Sequence, residues 1–264
     1  MHTKFVPDLA VLPTIDRAYV RKVIDRSLSR LGQERLDLVQ YHWWDYDIPG
    51  YVRTAEYLAE LQTEGKIDRI GTTNFDVPHL TELLDAGIPV TSNQIQCSLI
   101  DHRPMNGMLE FARQRDIGIL CYGSLAGGFI SDRFLDASRP VNPENRSYIK
   151  YGLVIEEFGG WELFQELLKT IHGIAEKHHV STANIAARYV LDQPGVSAVI
   201  IAARNRGHIA QNTVTFSTEL DAHDRKLIEG VLARSNRCTG DIYDWERQPG
   251  GKHNRIMKFN LNQA

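Results

Sequence analysis

From its second residue the chain repeats one unit: a short run of β-branched and aromatic residues that stops on a polar or basic side chain, then a longer stretch with apolar residues at helical spacing. The runs are "HTKF" from His2, "DLVQYHW" from Asp37, "KIDRIGTTNF" from Lys66, "VTSNQIQCSL" from Val90, "IGILCYGSL" from Ile117 and "VSAVIIAA" from Val196. Strands joined through helices cannot be hairpin partners, so they must pair in parallel. The expectation is an α/β chain with six parallel strands.

The intervening stretches carry helix signals. Asp16 to Leu31 places Val20, Val23, Ile24, Leu28 and Leu31 on one face and stops at Gly32. Helices are expected likewise over "YVRTAEYLAELQTEG", over "DVPHLTELLDAG" with Pro78 in its first turn, and near "MNGMLEFARQRD". Others are expected at "GWELFQELLKTIHGIAEKHH", at "STANIAARYVLDQ" opened by Ser181 or Thr182, at "NRGHIAQNTVTF" and at "DAHDRKLIEGVLARS". The segment "DRFLDASRPVNPENRSY", from Asp132 to Tyr148, is too polar and too rich in proline for a core element and reads as a loop.

The strand ends are where unusual residues collect: Lys4, His42, Thr73 with Asn74, Gln94, Tyr122 and Arg204. In a TIM-type barrel the C-terminal rim of the strands carries the active site, so these positions favour one shared site. Taken alone, His42 is as well explained as a hydrogen-bonded core histidine and Lys4 as a solvated lysine. Thr73 could cap the next helix, and Tyr122 could be a core aromatic.

Composition removes several alternatives. With 264 residues, 42% hydrophobic and a formal net charge of −3 without long runs of either sign, the chain has the make-up of one globular domain and lacks a polybasic surface. Neither a nucleic-acid nor a membrane partner is expected; the expected partner is a small molecule, with the oligomeric state left open. Three cysteines far apart, adjacent His178 and His179, and no HExxH motif argue for free thiols and no metal site. No apolar stretch or leader pattern is evident, which gives a cytoplasmic expectation.

Read in order, "TKF", "RLDLVQYHWW", "EGKIDRIGTTNF", "SNQIQCSL", "GILCYGSLAGGF" and "IIAARNRGHIAQN" resemble the aldo-keto reductase family over the first 212 residues. The resemblance implies a (β/α)8 barrel of the TIM type that uses NADP(H), or sometimes NAD(H), to interconvert carbonyls and alcohols without a metal. It implies that His42 hydrogen-bonds the substrate carbonyl oxygen and that Lys4 lowers the pKa of a catalytic tyrosine. Thr73, Asn74 and Gln94 would hold the nicotinamide carboxamide and Tyr122 would stack on its ring. Leu125 and Gly127 would let the pyrophosphate approach the backbone. Arg204, Asn205, Gln211 and Asn212 would serve the adenosine end, with Arg204 meeting a 2′-phosphate. Apart from the resemblance, Trp43, Trp44 and Trp245 suggest an aromatic-lined substrate pocket, although Trp245 could simply anchor the tail to the barrel.

The family also has an aspartate and a proton-donating tyrosine in a D-T-A-x-x-Y-G pattern before the lysine strand, whereas Lys4 here is the fourth residue. The expectation is therefore one partial barrel domain over residues 1–264, with about six of eight strands, the first two βα units missing, and residues 235–264 as a C-terminal tail. The alternative function is a catalytically impaired fragment, or a non-catalytic nucleotide-binding or interaction protein.

Overall fold

The computed structural model describes residues 1–262 apart from 142, 204, 237 and 261. Among them six strands hydrogen-bond in chain order as one sheet: β1 (His2–Phe5), β2 (Leu36–Tyr41), β3 (Ile67–Thr73), β4 (Val90–Gln96), β5 (Gly118–Tyr122) and β6 (Val196–Val199). The pairs from β1 through β4 are parallel, with Phe5 opposite Tyr41, Tyr41 opposite Thr72, and Thr73 opposite Gln94. Registration therefore brings the polar strand ends of β3 and β4 level. The β3–β4 register shifts between Ile70 and Gly71. A Cβ at Gly71 would lie 2.4 Å from the Ser92 hydroxyl, so glycine is what allows the strands to approach there.

The helices are α1 (Arg17–Leu31), α2 (Tyr51–Thr63), α3 (Val77–Asp85), α4 (Met108–Gln114), α5 (Arg146–Phe158), α6 (Trp161–His178), α7 (Thr182–Leu191), α8 (Arg206–Thr213), α9 (Ala222–Leu232), α10 (Asp244–Arg247) and α11 (Lys252–Arg255). Their starts follow the sequence signals: Asp16 accepts from the Tyr19 amide, Asp76 from the His79 amide, and Ser181 and Asp221 each form a capping box. Helix α5 corrects the expectation of a loop through Tyr148. Asn145 accepts from the Ser147 amide at its start, and Tyr151, Val154, Ile155 and Phe158 then recur at helical spacing and are buried. The proline-rich segment conceals only the beginning of a strongly amphipathic helix.

The chain divides into two compact units. The first comprises Met1–Ile95, Phe111–Ile119 and Ile242–Ala264. Its core includes Phe5, Leu36, Val39, Tyr41, Leu58, Phe75 and Leu80, all fully buried. The tail belongs to this unit: the Phe259 carbonyl accepts from the Leu9 amide at 2.9 Å, and Asp8 accepts from both the amide and the side-chain nitrogen of Asn262. The second unit comprises Gln96–Glu110 and Leu120–Asp241. Phe129, Phe134, Trp161 and Phe164 form its aromatic cluster, with the Phe129 and Phe134 rings 4.8 Å apart. No helix among the described residues is long and apolar enough to cross a membrane.

Candidate active site

In the first unit the strand ends hold His42 in one orientation. The apolar β2 run, buried along Leu38 to Tyr41, delivers the imidazole immediately after the strand, where it is 2% exposed. Its amide donates to the Phe5 carbonyl of β1 at 3.0 Å, and its Nδ1 lies 2.9 Å from the Thr73 carbonyl oxygen of β3. A carbonyl oxygen only accepts, so Nδ1 carries the proton. Burial, reinforced by the nearby Arg247 charge and opposed by the Thr73 bond, pushes the His42 pKa down to about 3. The ring is thus neutral near pH 7, and Nε2 is a bare acceptor that is buried without a partner.

With Nδ1 protonated, the neutral ring leaves Nε2 able to accept a hydrogen bond and not to donate one. Thr73 is what fixes it, through its carbonyl, while its own hydroxyl donates to the Gln94 carbonyl at 2.9 Å. Asn74 follows in the left-handed region at φ 60°, tolerated better by asparagine than by most residues, and its amide donates to the Gln94 carbonyl at 2.9 Å. Lys4, on β1, is exposed and has no partner among the described residues; partial desolvation lowers its pKa.

Two aromatic rings and an arginine charge lie beside His42. Trp44 and Tyr243 meet the imidazole edge-on at 4.4 and 5.5 Å, and Trp44 donates to the Pro7 carbonyl. Arg247, at the end of α10, donates from Nη2 to the carbonyls of Trp43 and Asn74 and to the Tyr46 hydroxyl. Tyr46 and Tyr243 flank its guanidinium at 4.2 and 5.1 Å. Neither Arg247 nor Tyr46 was singled out by the sequence, because their placement depends on contacts more than 170 residues apart in the chain.

The second unit presents a different kind of surface. After β5 the loop through Gly123, Gly127 and Gly128 runs at positive φ, and a Cβ on Gly123 or Gly127 would lie 2.4 or 2.5 Å from Tyr151 of α5. The loop edges a cavity of about 650 Å³ lined also by Ser124, Leu125, Arg133 and His208. The Ser124 hydroxyl is buried there without a partner. An orphaned hydroxyl and the Arg133 guanidinium form a donor set suited to phosphate oxygens.

Of the other expected residues, Leu125 and Gly127 line this cavity, whereas Gln211 and Asn212 do not. Tyr122 ends β5, with the Lys150 ammonium 5.2 Å from its ring centre. Asn205 caps α8 by accepting from the His208 amide at 3.0 Å. Arg204 lies outside the described residues. Trp43 is fully buried, its indole donating to the Ile48 carbonyl at 3.0 Å, which makes it core and not pocket wall. Trp245 stacks on His253 within the tail, 5.0 Å between ring centres, while Trp44 remains beside His42. Among the described residues no group of acidic, histidine or cysteine side chains could hold a metal.

Comparison with known proteins gives one family. The model of the Aldo/keto reductase family matches residues 1–233. Aldo-keto reductase YhdN of Bacillus subtilis (strain 168) is 27% identical over 220 residues, covering 82% of this chain and 64% of that protein. The NADH-specific methylglyoxal reductase of Escherichia coli (strain K12) is 23% identical over 242 residues, covering 88% and 70%. The structure of a glycerol dehydrogenase from Gluconobacter oxydans superposes with a TM-score of 0.73 at 27% identity, covering 85% and 67%. The chain thus spans roughly two thirds of the length of the relatives it matches.

Proposed function

This chain belongs to the aldo/keto reductase family, and from that premise we propose that it is an NADP(H)-dependent oxidoreductase interconverting a small alcohol and its carbonyl compound. The observation that carries the reading is the neutral, buried His42 at a strand end, with Nε2 open to a hydroxyl proton. An alcohol can donate to that nitrogen and a ketone cannot, so His42 orients the alcohol form. Its low basicity lets it hold the hydrogen bond without keeping the proton. A bound nicotinamide supplies the hydride acceptor or donor. Asn74 and Gln94, level across β3 and β4, have the paired donor and acceptor groups that a carboxamide needs.

In the second unit, Ser124 and Arg133 suit phosphate oxygens. Arg204 is assigned to the 2′-phosphate, which makes NADPH the preferred form. The ammonium of Lys4, more readily deprotonated than a free lysine, supplies positive charge where oxygen becomes negative. Free, buried Cys97, Cys121 and Cys238 fit the reducing cytosol.

Tryptophan-fluorescence titration with NADPH and NADH, on the chain and its Arg204→Ala variant, should show tighter NADPH binding that the variant loses. Turnover of benzyl alcohol with NADP+ should fall about 10²-fold in His42→Ala. Binding without turnover would leave a nucleotide-binding protein, and equal affinity for the two cofactors would remove the NADP assignment.

A further inference from the structure

A guanidinium whose nitrogens are shielded from solvent usually has a carboxylate beside it, and half-buried Arg247 has two such nitrogens. Yet it has no such neighbour: among the described residues no acidic group lies within ion-pair distance of it. It is nonetheless held in place. Nη2 donates at 3.1 Å to the Trp43 carbonyl, 3.0 Å to the Tyr46 hydroxyl and 2.9 Å to the Asn74 carbonyl. Nε and Nη1 are shielded from solvent and have no acceptor. Donors of a charged group left in this state are costly unless a ligand completes them. They lie at the same strand ends as His42, whose Nε2 is likewise unmatched, and Tyr243 touches both groups.

We propose that Arg247 is the anchor for a carboxylate of the substrate, so that the chain acts on hydroxy acids and their carbonyl counterparts. The proposal rests on the oxidoreductase reading of this site and narrows it: Arg247 takes the anionic end while His42 accepts from the hydroxyl. Because Nη2 is already occupied, the carboxylate is met by Nη1 or Nε and not by a two-pronged fork. The strap from Ile242 to Arg247 must shift to admit it, and the Tyr243 ring is the cover. A carboxylate is favoured over a phosphate because a hydroxyl acceptor, His42 Nε2, stands beside the arginine.

The test compares acids with amides of the same shape, in a short and a long pair: glycolate with glycolamide, and 4-(hydroxymethyl)benzoate with 4-(hydroxymethyl)benzamide. Binding is read by tryptophan fluorescence, and turnover by nicotinamide absorbance. At least one acid should bind about tenfold or more tightly than its amide, as expected for a charge-assisted bond to a partly desolvated cation. Arg247→Met should erase the difference and Arg247→Lys should keep part of it. Equal affinity of acid and amide in both pairs, measured on the unmodified chain, overturns the anchor whatever the variants do. So does inorganic phosphate binding as tightly as the better acid. Acid-selective binding without turnover would keep the anchor and refute the oxidoreductase reading; equal turnover of acid and amide would do the reverse.

Discussion

Each unit holds an arginine with nitrogens shielded from solvent, Arg103 buried and Arg247 half-buried, and the two are treated in opposite ways. Arg103, in the second unit, is 1% exposed and clamps the fully buried Asp101 through Nε at 2.9 Å and Nη2 at 2.7 Å, with Gln96 donating to the same carboxylate at 2.6 Å. Burial raises the Asp101 pKa, but the Arg103 charge and these bonds outweigh it and leave the pKa below the ordinary value. Arg247, in the first unit, has only carbonyls, a phenol and ring faces among the described residues. Arg103 belongs to the architecture, whereas Arg247 is an unbalanced charge next to an unbalanced imidazole. Such imbalance marks the place where a fold gives up stability for recognition.

Removing one arginine and then the other should test that contrast most severely. Arg103→Met leaves Asp101 charged and unpaired, and urea denaturation should show a loss of about 3–5 kcal/mol. Arg247→Met removes an uncompensated charge together with its bonds, and should change stability by no more than about 1 kcal/mol. Similar losses in the two variants would break the comparison.

Acid should sharpen it. With its pKa lowered to about 3, folded His42 binds its proton later than in the unfolded chain, so its contribution is intact above the ordinary histidine pKa and is lost as pH falls below it. Denaturation curves at successive pH values should show an added slope approaching about 1.4 kcal/mol per pH unit, ending near the folded pKa. His42→Gln should lack that component. An unchanged slope would mean that the imidazole is not held neutral.

The smallest effect concerns the backbone-built surface of the second unit. At φ +63°, with Tyr151 2.5 Å from where a Cβ would stand, Gly127→Ala should cost about 1–3 kcal/mol. It should also weaken NADPH binding, read by the same fluorescence titration. A neutral substitution would show that the loop has room to spare.

Strand ends were legible because a parallel strand is written as an apolar run, and the residue that interrupts it marks the rim; Lys4, His42, Asn74 and Gln94 were all found in that way. Helix α5 was not, because Asn145 caps it from inside a segment of prolines and polar residues. Nor could the sequence display the tautomer of His42, which depends on a carbonyl 31 residues away. Arg247 was unreadable for a related reason: a lone arginine in a tail says nothing until the chain folds back on strands far earlier in the sequence.

The grip on Arg247 falls largely on main-chain oxygens, those of Trp43 and Asn74. Backbone atoms are the part of a protein that mutation leaves in place. The residue at position 247 can therefore be exchanged without rewriting the sheet beneath it. On the proposed reading of this site, selection for a new substrate has a short path: a single codon in the tail alters the charge beside His42.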